Sequence, residues 1–490
     1  MVKYILGIDQ STQGTKALLF DETGKLSARA DMPHRQIINE KGWVEHDPEE
    51  IYSNVIQTVK NVVEKAEIDK SLIAGVGISN QRETALAWCK DGKPVYHAIV
   101  WQCARGEAIC RKIAGNGDEI SEKTGLKLSP YFSAAKIAWI LEHVKGAREM
   151  ADDRTLCYGT VDSFLVYRLT HGKVYQTDYS NASRTQLFNI RTLTWDRDVC
   201  EMFGVPIENL PEVTDSDGFY GMTDFEGFLD KPIPIHGVLG DSHGALFAQG
   251  CLEKGMVKAT YGTGSSVMMN VGNKPVFSSH GIVSSLAWGI SGEINYVLEG
   301  NVNYAGAVIS WLQNDLQMVT SAAETEELAG RAAPEDKTYF VPAFTGLGAP
   351  YWNSEASGIL CGITRNTKKA EIVRAALDSI GYQIVDVLKA MEEDSGIAIR
   401  ELRVDGGPTG NGYLMQFQSD VAGIPVLVPE SEELSGMGAA YAAGIGLGIY
   451  KKEKLFRKTA KKTFLPQKDC SFAENKYRGW KNAVEMVLKK

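Results

Sequence analysis

Three carboxylates stand where an apolar run gives way to small or hydroxyl residues: Asp9 after Tyr4-Ile-Leu-Gly-Ile8, Asp241 after Val238-Leu-Gly240, and Asp405 after Leu402-Arg-Val404. Acidic strand ends of this kind suit phosphoryl transfer, which needs positioning and charge neutralisation more than covalent help. Two hydroxyl-rich turns, Asp9-Gln-Ser-Thr-Gln-Gly-Thr-Lys16 and Tyr261-Gly-Thr-Gly-Ser-Ser266, could grip phosphates with backbone N–H groups and hydroxyls. Carboxylates would hold magnesium through water, and one would accept the proton of an attacking hydroxyl. Asp241 is the candidate base. A plain surface hairpin is the alternative for the first turn, and a helix-capping aspartate the alternative for Asp241.

Other junctions add polar groups. Ile73-Ala-Gly-Val-Gly-Ile78 spills into Ser79-Asn-Gln-Arg82-Glu83-Thr84, and strand ends of α/β proteins are where ligand-contacting residues sit. Ala98-Ile-Val-Trp101 leads into Gln102-Cys-Ala-Arg105, read as the start of a helix. Leu402-Arg-Val-Asp-Gly-Gly-Pro-Thr-Gly-Asn411 has glycines that would let the backbone approach a flat ligand. No G-x-x-x-x-G-K-[ST] occurs, which excludes a P-loop, and no G-x-G-x-x-G follows the first strand, which disfavours a dinucleotide-binding dehydrogenase. Eight histidines are scattered without metal-ligand spacing. His243, beside Asp241, could be a base but reads better as a structural residue.

The elements that must position these groups follow from periodicity. The opening apolar run, polar turn and apolar run recur at Met256–Asn270, so a duplicated strand-rich α/β unit with a boundary near residue 247 is the simplest account. Lys368 to Glu393 is the clearest helix, with Val373, Leu377, Ile380, Ile384 and Leu388 on one face. Tyr131 to His143 also has helical spacing, and Trp139 reads as core. Gly436-Met-Gly-Ala-Ala-Tyr-Ala-Ala-Gly444 is suited to tight helix packing, expected against the nucleotide seat. Lys451 to Lys462 reads as a solvated basic stretch without chemistry.

At 490 residues the chain exceeds one usual hydrophobic core, so two domains with a ligand cleft between them are expected. A net charge of -9 with dispersed basic residues argues against nucleic acid or an anionic membrane as partner. Eight cysteines without C-x-x-C spacing fit a reducing compartment. The apolar runs fall short of the ~20 residues a transmembrane helix needs, and the first residues lack a signal-peptide pattern, so a cytoplasmic location is expected.

The chain resembles the FGGY carbohydrate kinases, and within them the glycerol kinases. Tyr131-Phe-Ser-Ala-Ala-Lys-Ile-Ala-Trp139 to His143 fits the family's first signature, and Ser357-Gly-Ile-Leu-Cys-Gly-Ile363 through Glu371-Ile-Val-Arg-Ala-Ala-Leu-Asp378 fits the second. Further matching blocks run from Gly42-Trp-Val-Glu-His-Asp-Pro48 to Gln416-Phe-Gln-Ser-Asp420. The resemblance implies two duplicated actin-like (ribonuclease H-like) α/β ATPase domains with an interdomain cleft. Residues 1–247 would bind substrate and phosphate, and 248–490 the nucleotide. ATP and Mg2+ would serve a transfer of the γ-phosphate to a primary hydroxyl of glycerol or a related polyol. A homo-oligomer, a dimer, is the expected assembly. Actin-like folds also serve as filament subunits, chaperone ATPases and sensors, which would not need a polyol pocket.

Position by position, the resemblance implies that Asp9 and Asp241 lie by the magnesium. Thr12, Gln13 and Lys16 would lie by the phosphates, and Thr263, Gly306, Gly407 and Asn411 by the nucleotide. Arg82, Glu83, Trp101, Tyr131, Asp241 and Ser242 would line the substrate pocket. An Arg donor beside a Glu acceptor satisfies neighbouring hydroxyls, while the two aromatics could cover the carbon chain. Four positions depart from the family: Ser11 replaces a glycine, Ser242 a glutamine, Ser266 an aromatic, and Ser310 a glutamine at the nucleotide. Ser242 and Ser266 would enlarge the pocket, which brings a tetritol, pentitol or pentulose into consideration. Thr223-Asp-Phe-Glu-Gly-Phe-Leu229 lacks both a phosphorylatable histidine and a Gly/Arg-rich bisphosphate loop, so neither control is expected.

Overall fold

The computed structural model describes residues 3–456 and 460–489. β1 (Tyr4–Gln10), β2 (Gly14–Phe20) and β3 (Leu26–Pro33) form an antiparallel meander, with Asp9 opposite Lys16. Helix α1 (Pro48–Ala66) starts where Asp47 caps the Glu49 amide and Pro48 needs no donor, and it returns the chain to β4 (Ile73–Asn80), parallel to β1. An insertion carrying α2 (Ser133–His143) follows, and then β5 (Phe219–Thr223) and β6 (Ile233–Gly240) complete a sheet of order β5-β6-β4-β1-β2-β3. Ile5, Leu6 and Ile8 are all fully buried because this sheet is covered on both faces, which is why β1 reads as a continuous apolar run.

After α3 (Asp241–Ala248) the plan repeats. β7 (Val257–Tyr261), β8 (Ser265–Gly272), β9 (Val283–Ile290) and β10 (Glu293–Val302) precede the long α4 (Lys369–Ser395). β11 (Leu402–Asp405), α5 (Gly412–Ala422), β12 (Val426–Pro429), α6 (Leu434–Gly446) and β13 (Ala460–Phe464) follow. The second sheet runs β9-β10-β8-β7-β11-β12-β13. Its β7, β8 and β10 correspond to β1, β2 and β3, and its parallel β11 and β12 to β4 and β6. Each sheet ends in an antiparallel edge strand, β5 or β13. The repeat inferred from two hairpin-like segments is thus a repeat of whole sheets, the actin-like two-domain α/β architecture.

Two helices tie the halves together. α3 buries Leu246 and Phe247 in a cluster with Met268, Trp288 and Val297 of the second sheet. α6 crosses the other way and lies on the first sheet. The expectation that the small residues of α6 pack against a nucleotide seat is corrected here: a Cβ on Gly7, Gly77 or Gly237 would sit 2.7, 2.1 or 2.5 Å from carbonyl oxygens of α6. Small residues on both partners let helix and sheet backbones meet. Of the basic stretch Lys451 to Lys462, residues 457–459 lie outside the described residues, while Leu455 and Phe456 pack on the core between the halves. Among the described residues, no helix is long and apolar enough to cross a membrane.

The close approach gives a direct test. Gly77→Ala should destabilise the protein by about 3 kcal/mol or more by overpacking against Ala439, whereas Gly115→Ala, with open space around it, should change stability by less than about 0.5 kcal/mol. Urea denaturation midpoints of the two variants check this; equal midpoints would contradict it.

Candidate active site

β1 ends in Asp9, flanked in register by Lys16 on β2 and Ser79 on β4. Burial pushes its carboxyl up to about 7, against the Lys16 ammonium, with Asp241 and Glu433 adding to the rise. Its Oδ1 is buried and has no partner. The turn beyond is closed by Ser11, whose amide and Oγ both donate to the Gly14 carbonyl, at 2.9 and 3.0 Å. Ser11 in place of glycine thus spends its hydroxyl on the turn. Thr12 Oγ1 accepts a hydrogen bond from Trp101 Nε1 at 2.9 Å, joining the phosphate turn to the expected substrate wall, and Gln13 is exposed. Lys16 Nζ donates to Glu433 Oε2 at 2.7 Å, just ahead of α6, so a carboxylate from the far end of the chain holds the lysine expected at the phosphates.

The end of β4 is where the chemistry concentrates. Arg82 makes two parallel 2.8 Å hydrogen bonds through Nη1 and Nη2 to Glu299 on β10, and its Nε lies 3.3 Å from Asp241 Oδ1. Glu83, in the left-handed region with φ 59°, directs its carboxylate to Arg184 Nε at 2.6 Å. Arg184 Nη1 in turn lies 3.0 Å from Glu299 Oε2, and Ser266 Oγ donates to Glu299 Oε1 at 3.1 Å. Three carboxylates and two guanidiniums therefore share one largely buried cluster that spans both sheets. The buried carboxylates Glu83 and Glu299 are each paired with a guanidinium, and the guanidiniums hold the Glu299 carboxyl well below the usual range.

Trp101 and Tyr131 meet edge to face at 5.6 Å, both half-buried. Their loop is pinned from behind: the buried Lys136 of α2 donates to the carbonyls of Pro130, Tyr131 and Phe132, and Ser133 Oγ donates to the Glu83 carbonyl at 3.1 Å. The reading of α2 as a core helix holds for Trp139, which is 8% exposed, but Lys136 gives that helix a second task.

Asp241 opens α3. Its Oδ1 accepts from the Ser242 amide at 2.6 Å, and a third of the side chain is exposed. Just before it, the Gly240 backbone N–H donates a hydrogen bond at 2.9 Å to the Oγ of Ser180, which lies in a short helix capped by Asp178. Ser242 is half-buried beside it. His243 is fully buried with neither ring nitrogen bonded, and burial together with Arg82 pushes its pKa well below the ordinary value. Fully enclosed, the His243 ring has no exposed nitrogen for a substrate hydroxyl, whereas Asp241 is part-exposed.

On the second sheet, Thr263 is exposed at the β7–β8 tip, the position equivalent to Thr12. The Gly306 amide donates to the Gly262 carbonyl at 2.8 Å, and a Cβ there would lie 2.7 Å from the same oxygen, so only glycine fits this close approach. Gly406, at φ 98°, packs on Tyr261, while Gly407 and Gly410 have open space where a Cβ would lie. Asn411 is engaged as the N-cap of α5 and donates to Thr325 Oγ1 at 3.1 Å. Ser310 is exposed. Asp405 is buried beside Lys258 and accepts from Gln249.

Glu299, Arg184, Lys136 and Glu433 were not singled out from the sequence. The available signal was a charge inside an element that is otherwise buried, as with Glu299 after Tyr296-Val-Leu298. Among the described residues, no cluster of three or more His, Cys, Asp or Glu could cage a metal. The unbonded Asp9 oxygen and the part-exposed Asp241 instead fit a cation that keeps its waters and phosphate ligands.

Comparison with known proteins identifies the family. The N-terminal domain of the FGGY family of carbohydrate kinases matches residues 4–248, and its C-terminal domain residues 257–447. The chain is 47% identical over 491 residues to a glycerol kinase of Xanthomonas campestris pv. campestris, covering 99% of this chain and 98% of that one. It is 48% identical over 494 residues to a glycerol kinase of Alkaliphilus oremlandii, covering 100% and 98%. The crystal structure of Plasmodium falciparum glycerol kinase with ADP superposes with a TM-score of 0.94 at 34% identity, over 99% of this chain and 98% of that chain.

The buried Asp9 has a measurable cost. Its folded pKa lies above the unfolded value, so the folded state binds the extra proton, and stability is lost as pH rises from about 4 to about 7. Asp9→Asn should therefore stabilise the ligand-free protein above pH 7, by on the order of 2–4 kcal/mol, with the advantage vanishing near pH 4. Denaturation at pH 4 and pH 8 checks this; a pH-independent difference would contradict it.

Proposed function

The chain belongs to the FGGY family of carbohydrate kinases, phosphotransferases with an alcohol as acceptor, and from that premise we propose that it moves the γ-phosphate of ATP to a primary hydroxyl of glycerol. The observation that carries this reading is the cluster in which Arg82 stands near both Glu83 and Asp241, with Tyr131 of the Trp101–Tyr131 pair close to Arg82 and Glu83. Asp241, with Oδ1 fixed by the Ser242 amide, keeps a second oxygen for the hydroxyl proton. Arg82 retains one unused N–H on each Nη for the acceptor oxygens, and the aromatic edges cover the carbon chain. Thr12, Gln13 and Thr263 grip the phosphates from the two hairpin tips, and the open glycines at 407 and 410 seat the nucleoside. Mg2+, held through water by Asp9 and Asp241, would supply charge neutralisation at the phosphates. The acceptor oxygen bonds to the γ-phosphorus as the bond to the β-phosphate oxygen breaks, ADP leaves, and Asp241 carries the proton. Approach of the two domains excludes water. Residues 1–247 for acceptor and phosphate, 248–490 for nucleotide, a homodimeric assembly and a cytoplasmic location belong to the same proposal.

One observation favours a larger acceptor. Ser242 and Ser266 are short where the family has a glutamine and an aromatic, and Ser266 turns its hydroxyl to Glu299. Shorter side chains at these two positions would leave room for a tetritol, pentitol or pentulose.

Two measurements decide. Asp241→Ala should retain ADP binding and lose turnover by roughly a thousandfold or more, and near-normal turnover removes Asp241 as base. In a coupled ADP-release screen over glycerol, tetritols, pentitols and pentuloses, glycerol should show the highest kcat/KM. A longer acceptor ahead by about tenfold, some 1.4 kcal/mol, establishes the second reading instead.

A further inference from the structure

The turn between β1 and β2 is held from behind by a single residue. His34, the first residue after β3, donates its backbone N–H to the Gln13 carbonyl at 3.3 Å, and its Nε2 lies 3.0 Å from the Thr12 carbonyl. A carbonyl only accepts, so Nε2 carries the ring proton and Nδ1, buried and unbonded, carries the lone pair. Two successive carbonyls of the turn are thus drawn to one side. In a trans peptide N–H and C=O point in opposite directions, so the Gln13 and Gly14 amides face away from His34. The Gln13 amide keeps only a 3.4 Å contact to Ser11 Oγ. From another side, Trp101 Nε1 donates to Thr12 Oγ1 and leaves that hydroxyl its own hydrogen to give. We infer that His34 is the positioning residue of this turn: its ring N–H draws the Thr12 carbonyl back and so presents the following amides and the Thr12 hydroxyl to the nucleotide phosphates. The inference rests on the reading of Thr12 and Gln13 as phosphate contacts.

His34 can hold the turn because it is itself fixed to α1. The Pro33 carbonyl accepts from Asn54 Nδ2 at 3.0 Å, and the Arg35 amide donates to the two Glu50 carboxylate oxygens at 3.2 and 3.3 Å, both partners lying on α1. The Arg35 carbonyl lies 3.2 Å from Nδ1 of His46, which is fully buried just ahead of the Asp47 cap of the same helix. The His46 and His34 rings then meet edge to face, with centroids 4.5 Å apart. Burial pushes the pKa of both rings down, that of His46 to about 4, so the two imidazoles pack as a neutral pair at pH 7. The turn is therefore referenced to a 19-residue helix and not to its own two strands alone.

His34→Leu keeps the backbone N–H and an apolar body against His46 but removes the ring donor, whereas His34→Gln offers a side-chain N–H at similar reach. With the acceptor saturating, His34→Leu should raise KM for ATP roughly 5- to 10-fold, the effect of losing one hydrogen bond, while kcat falls by less than about threefold. His34→Gln should bring KM back to within about twofold of wild type. If His34→Leu does not fold, His34→Ala, which cannot overpack the site, takes its place with the same expectation. A KM for ATP within about twofold of wild type in the donor-less variant that folds overturns the inference. So does an equal rise in His34→Gln, which would mark a packing role. Thr12→Ala run alongside separates the causes: if it raises KM for ATP while the donor-less His34 variant does not, only this inference fails, and if neither variant moves KM, the turn is not a phosphate contact and the underlying reading fails with it.

Discussion

One guanidinium lies between the carboxylates of two different sheets, and the arrangement of the site depends on which of them it pairs with. Arg82 leaves β4 of the first sheet, yet its fork is bound to Glu299 of β10 in the second. A buried bidentate pair is directional and intolerant of drift. The two sheets must therefore meet in one geometry, which also sets Asp241 at the edge of the guanidinium and Glu83 on Arg184. Buried ion pairs give little net stability, since desolvation offsets most of the attraction. Their value here is in fixing where Asp241, the proposed base, and the guanidinium donors stand relative to each other.

The crossing helices make that geometry available. α6 lies on the first sheet through close backbone contacts at Gly7, Gly77 and Gly237, and the residue just before it, Glu433, pairs with Lys16 of β2. α3 starts at Asp241, the proposed base, and ends buried against Met268 and Trp288. Asp9 lies opposite Lys16 with an unbonded oxygen and a pKa raised by burial, a cost that a bound cation would relieve.

Much of this was legible in the chain because local chemistry announces itself. Hairpins with hydroxyl-rich turns, apolar runs ending in Asp9, Asp241 and Asp405, and the 3.6-residue face of α4 depend on near neighbours, and the structure places them as read. The partners of those residues depend on distant segments. Nothing local to Glu299 says that Arg82, 217 positions earlier, will claim it, and Lys136 looks like an ordinary residue of an amphipathic helix until its three carbonyl partners are in view. The misplacement of α6 has the same origin: its small residues promised close packing, but the surface they meet belongs to the other sheet.

The claim that the Arg82–Glu299 pair organises the site is tested most directly by a double-mutant cycle. kcat/KM for the acceptor would be measured at saturating ATP for Arg82→Gln, Glu299→Gln and the double variant. Residues acting through one shared bond should be strongly non-additive, with a coupling of about 1.5 kcal/mol or more. Additive losses, within about 0.3 kcal/mol, would mean that the two residues act independently and that the pair across the sheets does not organise the site.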